Sequence, residues 1–170
     1  MYLGDAAELA RTALVFRGWV GDRTAYDGFS YRNDLSWQAD PRQPVAINPR
    51  GAVKDGRSID GPMPEEMRRG CALQWPPCPT NYPWEGLQGA LVQAMILSRQ
   101  GYDVWAWQDQ ALLRAVQFLH SLDQEYGGWW ATGDDAYVPW LVNHVYGTSF
   151  PTSPAKTGKN MGWTDWMYGR

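Results

Sequence analysis

The sequence predicts a mostly α-helical fold. In three segments apolar residues recur every three or four positions, no segment alternates convincingly, and Gly- and Pro-rich stretches separate the periodic ones. The first helix is expected from Asp5 to about Val20, with Leu9, Ala13, Phe16 and Val20 on one stripe and Asp5 as its cap. The second opens at Pro83 and Trp84, where a proline costs nothing. It carries Leu87, Ala90, Leu91, Ala94 and Leu97 and runs through Arg99 to a stop at Gly101. The third extends from about Gln108 to Glu125 on Leu112, Ala115, Val116, Leu119 and Leu122, and Gly127 and Gly128 end it. A short turn is expected after Pro64, since Glu65 and Glu66 suit a positive helix N-terminus. Another is expected from Val138 to Tyr146.

The connection between the first two long helices is too long for an ordinary loop, and it carries Trp37, Ile47 and Trp75 among many Gly and Pro. That composition predicts an ordered, functional segment rather than a disordered one. The tail from Thr148 to Arg170 reads the same way, without a period. Within it Trp163-Thr-Asp-Trp166 either pins the tail or flanks a sugar.

The 170 residues fit one domain, taken as 1–170, with enough chain to bury a core. A net charge of −3 argues against a nucleic-acid binder. No apolar run approaches the roughly 20 residues a membrane helix needs, and no charged-then-apolar leader is visible. Eleven Trp and nine Tyr exceed what a plain helical bundle uses, and their flat faces lean towards a carbohydrate or aromatic-ligand surface. Cys71 and Cys78 have no second Cys pair and no nearby His, which leaves a closed loop or two free thiols rather than zinc.

The chain carries, in order, Asp34-Leu-Ser-Trp-Gln-Ala-Asp40, Asp55-Gly-Arg-Ser-Ile-Asp-Gly61, Pro64-Glu-Glu-Met-Arg-Arg-Gly70, Asn81-Tyr-Pro-Trp-Glu-Gly-Leu-Gln-Gly-Ala90, Gly101-Tyr-Asp-Val-Trp105 and Gly158-Lys-Asn-Met-Gly-Trp-Thr-Asp-Trp166. Taken in that order, these stretches resemble the second half of the alginate-lyase-like polysaccharide lyases. The resemblance implies a partial (α/α) toroid of helical hairpins with long ordered loops. It also implies β-elimination on a uronate-containing polysaccharide such as alginate, without a cofactor or metal, in a periplasmic or secreted setting. The Asn-His pair that the family uses lies ahead of the matching region, so the chain is expected to correspond to the C-terminal half of such a domain. Helix faces that a missing half would cover are expected to favour self-association.

By the same resemblance Arg69, followed by Gly70, matches the substrate-carboxylate arginine, and Tyr82 the catalytic tyrosine. Pro76, Pro77, Cys78 and Pro79 lengthen the spacing between them. A guanidinium fork suits a uronate carboxylate, and a phenol within reach of the reacting proton suits general acid–base work. His144, in Asn143-His-Val-Tyr146, is the expected assistant. Arg57 stands where similar sequences carry His; it cannot act as a base near neutrality but can bind a carboxylate. Arg57, Arg68, Asn81, Trp84, Tyr146 and Trp163 complete the expected substrate-binding set. His120 is expected at a helix surface or core edge, and Asp134 and Asp135 as caps of the following helical turn. Two alternatives stand beside the lyase. One is an inverting glycoside hydrolase using Asp60 with Asp134 or Asp135, which needs carboxylates about 6.5–9.5 Å apart. The other is a non-catalytic carbohydrate-binding remnant of the fold.

Overall fold

The computed structural model describes residues 5–31, 34–154 and 163–169. Over these the protein is mostly helical, in the order α1 (Ala6–Trp19), β1 (Val53–Lys54), β2 (Arg57–Ser58), α2 (Pro64–Met67), α3 (Tyr82–Arg99), α4 (Trp107–Tyr126), α5 (Tyr137–Tyr146) and α6 (Thr164–Tyr168). Single 3-10 turns at Val104–Ala106 and Gly133–Asp135 lead into α4 and α5. No described helix is long and apolar enough to cross a membrane.

Helices α1 and α3 stand where the periodicity puts them, and α4 does from Ala111 onward. The Asp5 side chain accepts the Glu8 backbone N–H at 2.9 Å and caps α1. Leu87, Ala90, Leu91, Ala94 and Leu97 of α3 are all buried, as are Leu112, Ala115, Val116, Leu119 and Leu122 of α4. Each buried leucine contributes about 1.5–3 kcal/mol over leaving it exposed. Helix α3 is the centre of the packing, against α2, α4, α5 and both 3-10 turns. Gly86 sets the α2–α3 distance: a Cβ there would lie 2.5 Å from the Met63 Cε.

The long connection is ordered, as expected, but not by secondary structure. Side chains take over the backbone pairing that strands would supply. Buried Gln38 donates to the Val45 carbonyl and accepts its N–H, both at 2.9 Å. Buried Asn48 donates to the Trp37 carbonyl at 2.8 Å and accepts the Ala39 N–H at 3.1 Å. Trp37, Ile47 and Ile59 from this segment sit in the core.

At the start of α4, Gln108, Asp109 and Gln110 are left-handed, with φ of 49°, 55° and 58°. For residues with a Cβ that conformation costs roughly 1–2 kcal/mol each. Arg114, only 7% exposed, holds it: Nη2 donates to the Gln108 carbonyl at 2.9 Å and Nε to the Asp109 carbonyl at 3.0 Å. Its Nη1 reaches the Asn48 carbonyl at 2.8 Å and Asp60 at 2.6 Å. The chain passes close by at Gly61, whose φ is 87° and where a Cβ would lie 2.4 Å from the Arg114 carbonyl oxygen.

Two elements correct the sequence reading. Strands β1 and β2 form a hairpin pairing Val53 with Ser58 and Lys54 with Arg57. It turns at Asp55-Gly56, both at positive φ, as a two-residue Asp-Gly loop favours. The tail contains α6, whose Thr164 is fully buried and donates to the Tyr137 carbonyl at 2.9 Å. Trp163 and Trp166 do not pin the tail; they are 62% and 77% exposed. The Gly158–Met161 part of the tail motif lies outside the described residues, as does Gly162.

Cys71 and Cys78 form a disulfide, which settles the choice left open by the sequence. Closing a loop this short is worth about 2–3 kcal/mol in the chain-entropy account. Cys71→Ser is therefore expected to lower the unfolding free energy by about that amount. Urea denaturation of wild type with and without reductant checks it: reductant should bring wild type to the variant's midpoint and leave the variant unmoved.

Candidate functional site

Two neighbouring elements bring Arg69 and Tyr82 together. Arg69 follows the single turn of α2, and Tyr82 is the first residue of α3. The disulfide loop between them folds back so that the Arg69 guanidinium lies over the Tyr82 ring, 4.7 Å from its centroid. Such a contact at an exposed site is worth about 0.5–1 kcal/mol. Both residues are exposed and, with Glu66, Asn81, Glu85 and Gly86, line an open cleft of about 500 Å³. The lengthened spacing between them is thus absorbed by a cross-linked excursion, and the pair still meets.

Glu66 orients the arginine: its carboxylate lies 3.2 Å from Arg69 Nε, one turn away on the same helical segment. Burial pushes the Glu66 carboxyl up from its usual range, against the opposing pull of Arg69. Arg68 points to a separate partner, pairing through Nε at 2.8 Å and through Nη2 with Glu65. It is tied into α2 rather than presented to the cleft.

Asn81 is fixed from behind. Its Nδ2 donates to Asp135 at 2.9 Å, and the Gln88 amide donates to the other carboxylate oxygen. Asp135 is buried, which pushes its carboxyl up, while the two amides pull it down. It does not cap α5, which has no side-chain cap; through Asn81 and Gln88, Asp135 instead locks the N-terminal end of α3 to the turn before α5. Nothing in the sequence pairs Asp135 with Asn81; only its place in a Gly-Asp-Asp turn hints at a role. Carboxylate oxygens of Glu85, Asp134 and Asp135 lie within 4.8 Å of one another beside the cleft, the one such group that could hold a metal among the described residues.

The other expected site residues fall elsewhere. Trp84 is 2% exposed, donates its indole N–H to the Trp129 carbonyl at 2.8 Å and meets Trp130 edge-on. It is a core residue with no face to offer a sugar, contrary to the sequence reading. His144 is exposed on α5 and stacks on Tyr168 at 4.3 Å; it does not line the Arg69–Tyr82 cleft. Tyr146 donates to the Trp105 carbonyl at 3.1 Å, and burial drives its hydroxyl well above the usual phenol range. Trp163 precedes α6 with its ring in solvent. His120 sits at the core edge between Trp130 and Phe150, at 4.9 and 5.3 Å.

Arg57 lines a second cavity, of about 550 Å³, between the β-hairpin, Trp75 and α4. Its guanidinium lies 5.0 Å from the Trp75 ring centroid and donates to Glu125 at 3.0 Å and Tyr126 at 3.1 Å. A hydrogen bond from Tyr126 and then the Arg57 pair hold the Glu125 carboxyl below its usual range. Asp60 lines this cavity too, paired with Arg114. Asp60 lines the Arg57 cavity, whereas Asp135 lies behind Asn81 of the Arg69–Tyr82 cleft, so the two are not brought to one of these cavities. No family model, curated protein or solved structure matches the chain.

Proposed function

We propose that this chain acts on a uronate-containing polysaccharide by β-elimination, at the cleft between α2 and α3. The observation that carries the reading is the juxtaposition of exposed Arg69 and Tyr82, one a carboxylate fork and the other a phenol, in a single open cleft. In β-elimination a base removes the proton on the carbon next to the carboxylate. That electron pair becomes a carbon–carbon double bond, the glycosidic carbon–oxygen bond breaks, and the leaving oxygen takes up a proton. Negative charge grows on the carboxylate on the way, so a cation placed there favours the transition state over the ground state. Arg69 supplies that cation, and Tyr82 moves a proton at the neighbouring carbon or oxygen. Asn81, braced by Asp135, adds an amide at the same rim. In this reading α3 and α4 form one hairpin of an incomplete (α/α) toroid whose loops frame the polymer.

Incubation with oligomannuronate, oligoguluronate and oligoglucuronate tests the reading through the conjugated ultraviolet absorbance of an unsaturated uronate. At least one substrate should give a rising signal, and Arg69→Ala should cut it by about 10²–10³-fold. Binding of an oligouronate by calorimetry with no absorbance change would instead establish the non-catalytic binding reading.

A further inference from the structure

We infer that the cavity between the β-hairpin, Trp75 and α4 is a second binding site, and that it takes a neutral polyhydroxylated ligand, a sugar without a carboxylate. Its charges are already balanced in pairs: Arg57 with Glu125 near the rim, and Arg114 with Asp60 at the inner end. A uronate entering it would meet two carboxylates, and a cation two guanidinium groups, so neither sign of ligand gains net attraction. What remains on offer is a dense set of hydrogen-bonding groups around an apolar patch. Carboxylates accept from paired hydroxyls, the exposed Gln117 amide both donates and accepts, and Phe118 and the Trp75 ring supply apolar surface. Trp75 adds an independent sign. Its indole N–H is the one buried side-chain polar group without a partner among the described residues. An unsatisfied donor of this kind is costly to keep. Arg57, which lies over the same ring, is itself exposed and is held by exposed Glu125 and half-buried Tyr126, so exchanging these surface contacts would let a ligand hydroxyl enter.

This inference does not depend on the chemistry proposed at Arg69 and Tyr82, because the two cavities share no lining residue. Isothermal titration with cellotetraose, xylotetraose and mannotetraose, alongside an oligouronate, tests it. Gln117→Ala and Glu125→Gln are the variants, both at exposed positions of α4, with circular dichroism confirming that each folds. At least one neutral tetrasaccharide should bind at one site per chain, and each variant should weaken it about tenfold or more. The Trp75 indole resonance, assigned with Trp75→Phe, should move during the same titration. The inference falls if no neutral tetrasaccharide binds, if either variant binds it as tightly as wild type, or if the two variants weaken only the oligouronate.

Discussion

Arg114→Met is expected to remove about 3–5 kcal/mol of stability, enough to unfold a marginal domain of this size. Methionine keeps the unbranched apolar stem and removes only the guanidinium end, so the loss is mainly polar. Three backbone carbonyls, from Asn48, Gln108 and Asp109, and one Asp60 carboxylate oxygen lose their donor at once. The left-handed residues 108–110 then have nothing to oppose their relaxation into the helix, which would pull Trp107 and its packing on Phe16 out of place. Arg114→Lys should rescue little, since one ammonium cannot span four acceptors arranged around a planar fork. Adding Asp60→Leu to Arg114→Met should recover only part of the loss: it removes the carboxylate oxygen left unpaired, but it also removes the acceptor of the Gly51 N–H and restores nothing to the carbonyls. Urea denaturation gives all three values, and a loss below about 1 kcal/mol for Arg114→Met would show that the fork holds no strain.

That clamp also shows where sequence reading stops. Helices α1, α3 and α4 were legible because a 3.6-residue period repeated over many turns leaves few alternatives. The hairpin was not, since strands of two residues show no alternation; Asp55-Gly56 was its only visible signal. Helix α6 is too short for a period to register. The left-handed turn at 108–110 had no signal at all, because it contains no glycine. Its stability comes from a guanidinium on the next turn and a loop more than fifty residues away. The cleft divides in the same way. Arg69 and Tyr82 were legible from the order of short motifs, and Glu66 from its spacing to Arg69. Asp135 was not, because only tertiary packing brings it behind Asn81. Sequence proximity misled for Trp84: it follows Tyr82 closely, but the helical rotation between them turns its ring into the core.

Tyr82→Phe is expected to lower the turnover of the proposed elimination by about 10²–10⁴-fold, the range for losing a general acid–base group. The ring stays, and with it the cation–π contact that places Arg69, so oligouronate affinity should change by no more than about threefold. A phenol matters here because one step must take a proton from carbon and another must give one to the departing oxygen. Tyr82 is exposed at the rim of a cleft that also holds the Arg69 guanidinium. Arg69→Ala makes the opposite kind of change: it removes a charge that binds the ground state weakly and the transition state strongly, so both affinity and turnover should fall. Arg69→Lys should restore affinity better than turnover, because a point charge can meet the carboxylate without the paired hydrogen bonds that follow its growing charge. Steady-state kinetics on the most reactive oligouronate separate these effects as kcat against KM. Equal losses in Tyr82→Phe and Phe29→Ala would move the chemistry away from the phenol, because Phe29 lines only the neighbouring groove. A Tyr82→Phe enzyme with wild-type kcat would remove the tyrosine from the reaction and leave Arg69 as a binding residue alone.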